Sequence, residues 1–204
     1  MSFAQPLNEN DADPDPVVQF RAWFDAARGA GVRMPEAAAV ATASADGEPS
    51  ARMVLVKRGD ADGFVFYTNY ESRKGEELGA NPRAALLFYW DPLGRQVRVE
   101  GSVSRLSPEQ SAAYVRSRPR ASQLSAMASP QSRPVQSRRS LEDAVAELSR
   151  RHEGSELPIP PNWGGFRLRP ERIEFWQHRE DRLHDRLLYT RASGASWRLT
   201  RLAP

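Results

Sequence analysis

The chain contains no cysteine, three histidines and two lysines in 204 residues. Without cysteine there are no disulfides, thiol nucleophiles or cysteine metal sites, which fits a reducing compartment. The histidines, His152, His178 and His184, do not have the spacing of a metal site, and no catalytic triad is suggested. No Walker-type loop or GxGxxG segment occurs, which argues against P-loop and Rossmann nucleotide sites.

Long apolar runs are also missing. No run approaches the roughly 20 residues that a membrane helix needs, and residues 1–16 lack the basic-then-apolar pattern of a signal peptide. We therefore expect a cytoplasmic protein that does not interact with a membrane. Residues 1–15, which are polar and rich in Asp, Asn and Pro, are predicted to form a flexible amino-terminal arm, and residues 16–204 to form a single domain.

Arginine carries nearly all of the positive charge, with 27 arginines against two lysines. Lys57 ends the segment 52–57, and Lys74 follows directly on Ser72 and Arg73. A lysine ammonium is a compact point charge on a flexible stem, unlike the planar guanidinium fork. The two lysines are therefore candidates for specific anion contacts, the alternative being two unremarkable surface lysines.

The apolar pattern predicts about eight strands and four helices. The helices include 17–30, 107–117 and 140–151, and the late strands include 165–169 and 172–176. Because the strands follow one another in hairpin-like succession, the pattern favours a mainly β (α+β) protein. The expected architecture is an antiparallel barrel with helices packed outside.

A basic block lies between residues 111 and 141, with six arginines and no acid. An uncompensated block of this length repels itself unless an anion binds in it. Nucleic acid is one possible partner, but no recognition-helix or RNP pattern appears, so none is expected. Small phosphorylated ligands held by arginine forks are the second interpretation, and a solvated basic face is the third.

A second candidate region lies near the carboxyl terminus. In an extended segment, Arg182, His184 and Arg186 would project to one side. Trp176 and Tyr189 flank this group, which makes a ligand pocket plausible. The alternative is an edge strand whose cations pair with neighbouring acids.

Together these segments resemble the pyridoxamine/pyridoxine 5′-phosphate oxidase family. The similarity covers the chain from about residue 15 to its end, with the motifs in family order. The matching segments are Arg52–Lys57, Phe66–Asn69, Ser72–Lys74, Asn81–Arg83, Arg95–Val97, Ser117–Arg120, Gln131–Ser132, Trp163–Phe166, Ile173–Gln177, Arg182–Arg186 and Arg201–Pro204.

The resemblance implies an FMN-binding split β-barrel that forms a homodimer with FMN at the subunit interface. It assigns FMN contacts in one subunit to Arg52, Met53, Val54, Leu55, Val56, Lys57, Tyr67, Thr68, Arg73, Lys74 and Gln96. It assigns further FMN contacts, from the partner subunit, to Gln131, Ser132, Trp176 and Arg186. The substrate phosphate would meet Lys57, Tyr114, Arg118 and Ser122, while Arg182, Leu183 and His184 would lie at the substrate ring, with Arg182 and His184 as catalytic candidates.

The implied activity is oxidation of pyridoxine or pyridoxamine 5′-phosphate to pyridoxal 5′-phosphate, with O₂ as the electron acceptor. Two alternatives are a related split-barrel oxidase of another substrate, such as a phenazine, and a non-catalytic FMN or pyridoxal phosphate carrier. Two features depart from the family pattern. His178 and Arg179 stand where many members have small residues, and the amino-terminal arm is short.

Overall fold

The structure is a computed structural model and describes residues 6–192 and 196–204. Within these residues there are five α-helices, eight strands and one short 3₁₀ turn, Asp91–Leu93. The helices are α1 (Pro16–Gly29), α2 (Arg73–Ala80), α3 (Pro108–Ser117), α4 (Arg120–Ala128) and α5 (Arg138–Arg151). The strands are β1 (Ala37–Ala43), β2 (Pro49–Asp60), β3 (Gly63–Asn69), β4 (Arg83–Trp90), β5 (Arg95–Arg105), β6 (Trp163–Gln177), β7 (Asp185–Arg191) and β8 (Trp197–Arg201). None of the described helices is long and apolar enough to cross a membrane.

Six of the strands close an antiparallel barrel. The hydrogen-bonded order is β3-β2-β1-β4-β5-β6, and β6 pairs back to β3. Strands β7 and β8 extend the sheet outward from β6. The predicted antiparallel barrel with outer helices is therefore confirmed, and closure leaves β8 as the exposed sheet edge among the described strands.

Helix α1 packs its aromatic face against the barrel core. Asp15 caps the helix by accepting from the Val17 amide at 2.8 Å, and Pro16 occupies its first turn. The Phe20 ring lies 4.9 Å from Phe64, and Trp23 lies 5.1 Å from Phe175, both edge to face. Each such pair adds roughly 0.5–1.5 kcal/mol beyond its buried area. The helix predicted from apolar spacing is thus anchored to two sides of the barrel.

The predicted break between strands 165–169 and 172–176 is wrong. One strand, β6, runs through both segments. The register with β5 shifts between Glu100 and Gly101, so that Glu100 pairs with Arg172 and Gly101 with Pro170. A bulge tolerates proline, which lacks a ladder donor, and lets the strand bend without ending.

Helix α4 was not predicted from the sequence. Its segment, 120–128, is rich in Ala and Ser and buries only Leu124 among its residues. Apolar periodicity is therefore too weak to reveal it. The preceding helix α3 begins as predicted, with Ser107 and Gln110 forming a reciprocal capping box.

Residues 7–9, within the segment that we predicted as a flexible arm, contact the sheet. Leu7 is buried, and its amide donates to Asp185 Oδ2 at 3.1 Å. Arg201 pairs with both Glu9 and Asp185 at 2.8 Å. These contacts tie residues 7–9 to β7 and β8, an arrangement that sequence periodicity does not encode.

Candidate active site

A buried lysine lies at the start of α2. Ser72 caps this helix, and the Lys74 Nζ atom lies 3.0 Å from Thr68 Oγ1 and 2.9 Å from Gln131 Oε1. Lys74 is 7% exposed, and burial, together with repulsion from Arg52, lowers its pKa to about 8. A desolvated ammonium next to a helix amino terminus is suited to an anionic ligand.

Two arginines converge beside this lysine on a buried carboxylate, Glu77. Arg73 Nε donates to Glu77 Oε1 at 2.8 Å, and Arg52 Nη2 lies 3.3 Å from Oε2. The hydroxyls of Thr42 and Ser50 also donate to Glu77. These hydrogen bonds and the two cations lower the pKa of Glu77 to about 2 although the side chain is buried.

A stack of flat groups begins at Tyr67, the residue before Thr68 on β3. The Tyr67 and Tyr114 rings are stacked with centroids 3.6 Å apart, and the Trp163 indole lies parallel to Tyr114 at 6.1 Å. The Arg118 guanidinium carbon lies 4.7 Å from the centre of the Trp163 ring. A side chain at Gly165 would collide with Tyr67 and Leu106, so the glycine permits this packing.

Arg118 has a buried nitrogen without a partner. Within the described residues, its Nη1 atom is buried and makes no hydrogen bond. A buried guanidinium N–H without an acceptor is costly, so this atom indicates a site for an anionic oxygen. Tyr114 stands one helical turn before Arg118, and burial raises the pKa of its phenol, which keeps it a neutral hydrogen-bond donor.

We name the residues around Lys74, Glu77 and Arg118 the first half-site. Its members lie on β2, β3, α2, α3 and its C-cap, the segment after α4, and the start of β6. They are Arg52, Tyr67, Thr68, Arg73, Lys74, Glu77, Tyr114, Arg118, Gln131 and Trp163.

A second half-site lies at the other end of β6. Gln96 pairs with Trp176 across β5 and β6, and Arg186 pairs with Trp176 across β6 and β7. The His184 ring lies 4.7 Å from the Trp176 ring and 5.2 Å from the His178 ring. His184 Nδ1 accepts from the Arg179 amide at 3.0 Å, so in the neutral ring the proton is on Nε2.

The predicted extended row of Arg182, His184 and Arg186 is wrong. Arg182 lies in a turn with φ 64°, and the strand begins only at Asp185. Among the described non-glycine residues, only Ser132 and Arg182 have positive φ. Both belong to the predicted site, and backbone strain of this kind concentrates at functional sites.

Arg186 is held by a buried acid. Its Nε donates to Glu174 Oε1 at 2.8 Å, and its Nη1 donates to the Ala203 carbonyl at 2.8 Å. Arg98 Nη2 contacts the other Glu174 oxygen at 2.6 Å. The carboxyl terminus and β6 together therefore fix the Arg186 side chain beside Trp176.

The two half-sites lie toward opposite ends of one strand. Trp163 begins β6 and Trp176 lies near its end. Thirteen residue steps at roughly 3.3 Å each give a strand path of about 43 Å, which is the upper limit of the separation because the strand bends at its bulge. This arrangement favours a site that is completed by a second copy of the chain.

Two family models match the chain. The pyridoxamine 5′-phosphate oxidase model matches residues 24–152, and the pyridoxine 5′-phosphate oxidase C-terminal dimerisation region matches residues 163–204. A pyridoxine/pyridoxamine 5′-phosphate oxidase of Rubrobacter xylanophilus is 61% identical, covering 97% of this chain and 91% of the relative. One of Paraburkholderia phymatum is 54% identical, covering 97% and 93%. The chain belongs to the pyridoxine/pyridoxamine 5′-phosphate oxidase family.

Solved structures agree on the fold. PhzG from Burkholderia lata, solved with tetrahydrophenazine-1-carboxylic acid, superposes with a TM-score of 0.93 at 35% identity, and both chains are fully covered. An FMN-binding, pyridoxamine 5′-phosphate oxidase-related protein of Nostoc punctiforme superposes at 0.71 with 19% identity, covering 91% of this chain and 97% of its own. The second likeness supports the split-barrel fold alone.

Two residues of the predicted FMN set lie in a different half-site from the one that the family resemblance implied. Gln131, which we assigned to the partner subunit, contacts Lys74 and Thr68 of its own chain. Gln96, which we assigned to the Lys74 side, lies beside Trp176 in the second half-site. The order of residues in the sequence does not determine which half-site each residue joins, because strand pairing and the path of the loops decide which end of the barrel it reaches.

The remaining predicted residues differ in exposure. Val54 and Val56 point into the barrel core, whereas Met53 and Leu55 point outward and are 63% and 40% exposed. Lys57 is exposed and lines a cavity of about 700 Å³ between α1 and β2. Ser122 is half-buried on α4, and Leu183 is 67% exposed.

Much of the basic block is compensated by tertiary contacts. Arg120 donates to the carbonyls of residues 152 and 155, and Arg133 pairs with Glu76. Arg138 and Arg139 pair with acids four residues later on α5. The block thus needs less anionic compensation than its composition suggests, and Arg118 is the member whose surroundings indicate a ligand.

Sequence reasoning gave no role to two residues of the first half-site. Trp163 belongs to a matching segment, but its contact with Arg118 depends on α3 returning to the start of β6. Glu77 lies in no matching segment. Its spacing of four residues from Arg73 was the available signal, since such pairs meet on one helix face.

Proposed function

We propose that this chain is an FMN-dependent oxidase that converts pyridoxine or pyridoxamine 5′-phosphate to pyridoxal 5′-phosphate and reduces O₂. The observation that carries the proposal is the buried Arg118 nitrogen without a partner, next to the Tyr114 phenol. A phosphate monoester supplies several anionic oxygens for such donors. The curated relatives carry this activity in their names.

The first half-site fits the phosphate of FMN. Arg52, Arg73 and Lys74 converge around hydrogen-bonding hydroxyls and the first turn of α2. These are donors that a dianion prefers. Bound there, FMN would supply the two-electron acceptor for the oxidation.

The second half-site fits a flat ring. Trp176 and His184 present neighbouring rings, and because His184 Nδ1 accepts from the Arg179 amide, Nε2 is left to meet the ligand. We propose that His184 and Arg182 orient the substrate ring, while Arg118 and Tyr114 bind its phosphate. Binding the distant phosphate then positions the reacting carbon.

A homodimer brings the half-sites together. On the outer sheet face, Met53, Leu87 and Tyr89 are 63%, 37% and 56% exposed. Ala39 pairs with Met53 on one side and Leu87 on the other, so small residues flatten the centre of this face. A contiguous apolar patch of this kind is typical of a protein interface, and we propose that a second copy of this chain covers it.

The test of the function is a visible spectrum of the purified protein before and after anaerobic addition of pyridoxine 5′-phosphate. Flavin absorption that bleaches on addition and returns with air is expected. A yellow protein that neither bleaches nor consumes oxygen would instead indicate a carrier. A colourless protein that FMN does not reconstitute would refute the flavoenzyme assignment.

A phenazine-type oxidase is the second candidate, favoured by the full-length superposition on PhzG. The two candidates differ in their need for Arg118, because a phenazine carboxylic acid carries no phosphate. Turnover of a reduced phenazine carboxylic acid, but not of pyridoxine 5′-phosphate, would favour this alternative.

We expect Trp163→Leu to raise the KM for pyridoxine 5′-phosphate about tenfold with little change in kcat. The indole faces the Arg118 guanidinium, and a desolvated cation–π contact contributes up to about 2 kcal/mol. Trp163→Phe keeps an aromatic face and should retain most of the affinity. Steady-state kinetics check this, and a kcat loss as large as the KM increase would contradict a positioning role.

We expect FMN affinity to fall as pH rises above about 8. The pKa of Lys74 is lowered from 10.5 to about 8, so the free side chain is cationic below pH 8 and neutral above it. Bound phosphate raises that pKa, so affinity falls by at most about tenfold per pH unit. Fluorescence titrations between pH 7 and 9.5 check this, and Lys74→Met should flatten the profile.

A further inference from the structure

Glu77 is a buried carboxylate inside the proposed phosphate site. It is 6% exposed and lies on α2, one turn after Arg73. Ser50 Oγ lies 2.8 and 2.6 Å from its two oxygens, and Thr42 also donates to it. A buried carboxylate would repel a bound dianion, so its presence in a phosphate site needs an explanation.

The contacts leave donors available on both arginines. Glu77 accepts from the Arg73 Nε, and neither terminal Arg73 nitrogen has a partner among the described residues. Arg52 uses Nη1 on Thr42 and Nη2 on Ser50 and Glu77, which leaves its Nε. Some N–H groups of each guanidinium therefore fix its position, and the remaining N–H groups can donate to a second acceptor.

The charges support the same interpretation. Arg52 lowers the pKa of Lys74, whereas Glu77 acts in the opposite direction. Three cations without a carboxylate would repel one another and take up many arrangements. Glu77 offsets part of this repulsion and restricts two flexible side chains, which reduces the entropy lost when a ligand binds.

We propose that Glu77 is a positioning residue for the cofactor phosphate: it holds Arg52 and Arg73 so that their remaining N–H groups meet the phosphate of FMN. This inference rests on the proposed function, because it takes FMN as the ligand. It assigns Glu77 to the phosphate and not to the isoalloxazine ring. Its effect must therefore be large for FMN and small for riboflavin, which lacks the phosphate.

The experiment measures the Kd of FMN and of riboflavin by flavin fluorescence quenching on the full-length chain freed of flavin. We expect Glu77→Gln to weaken FMN binding about tenfold, as for the loss of a charge-assisted contact, and to change riboflavin binding less than twofold. Glu76→Gln is the matched control. It removes the same charge from the neighbouring position, where Glu76 pairs with Arg133 on the surface, and should change neither Kd.

A second comparison tests the route through arginine. In an Arg73→Ala background, adding Glu77→Gln should weaken FMN binding less than about threefold, because one of the two positioned side chains is already gone. Should Glu77→Gln fail to fold, Glu77→Asp keeps the charge but shortens the reach. It is then expected to weaken FMN binding selectively.

The outcomes separate this inference from the proposed function. Two results for Glu77→Gln would overturn the positioning role: equal weakening of FMN and riboflavin binding, or FMN binding that is unchanged or tighter. In either case, a wild-type preference for FMN over riboflavin would still support the phosphate site. A wild-type protein that binds neither flavin, or does not prefer FMN to riboflavin, overturns both.

Discussion

Replacing Arg118 by alanine is expected to raise the KM for pyridoxine 5′-phosphate about a hundredfold and to lower kcat less than about threefold. A charge-assisted contact from a desolvated guanidinium to phosphate contributes roughly 2–3 kcal/mol. Because the phosphate is remote from the reacting carbon, the loss falls mainly on binding.

The surroundings of Arg118 explain the size of the expected increase in KM. Arg118 already has a buried Nη1 atom without a partner, and its guanidinium lies against the Trp163 indole. Folding of the chain therefore desolvates part of the Arg118 cation before the substrate binds. Little of the contact with phosphate is then lost to reorganisation.

Arg116→Ala is the matched control for Arg118→Ala. Arg116 lies in the last turn of α3, two residues before Arg118, but is exposed. It should leave both kinetic constants near the wild-type values. If Arg118→Ala lowered kcat and kcat/KM equally, Arg118 would act in the transition state and not as an anchor.

Replacing Arg182 by alanine is expected to lower kcat about a hundredfold. Arg182 adopts a left-handed backbone conformation in a turn two residues before His184, whose ring contacts Trp176. A side chain held at such backbone cost is expected to act on the bound ring. Arg198→Ala, an exposed arginine on β8, is the control and should retain full turnover.

Heterodimers of two variants test whether each active site combines Arg118 of one subunit with Arg182 of the other. Arg118 contacts Trp163 at the start of β6, and Arg182 lies in the loop after its end, so we propose that each active site takes one of these residues from each subunit. A heterodimer of Arg118→Ala with Arg182→Ala then contains one intact site and one doubly altered site. At low substrate concentration, it should show about half of the wild-type activity, although each homodimer is nearly inactive.

Purified heterodimers carrying two different affinity tags allow this measurement. Activity no higher than the mean of the two mutant homodimers would mean that one chain supplies both residues. It would contradict the two-subunit arrangement without affecting the assignment of either residue to substrate binding.

Local patterns predicted the parts of the fold that depend on short-range chemistry. Asp15, Ser72 and Ser107 cap helices as their residue types suggest. Alternating apolar residues on β5 indicated a strand with one buried face, and Val97, Val99 and Val103 are buried there. These signals lie within a few neighbouring residues, so they survive in the bare sequence.

Features that depend on distant contacts were missed or misplaced. Helix α4 has little apolar periodicity, and β6 continues through Pro170 because β5 accommodates a bulge opposite it. Gln131 reaches Lys74 across 57 residues of sequence, and Leu7 reaches Asp185 across 178. No local propensity encodes a contact of that range.

The sequence by itself determined the chemical inventory: a cysteine-free, arginine-rich chain with two lysines, and motif segments that identify the family. Only the tertiary structure decided which of these groups share a site. Packing of α2 against the barrel brings Arg52 and Arg73 to Glu77, and β6 places Arg118 and His184 toward its opposite ends. The reason is physical: residue types fix charge and hydrogen-bonding capacity, whereas strand pairing over long sequence distances fixes position.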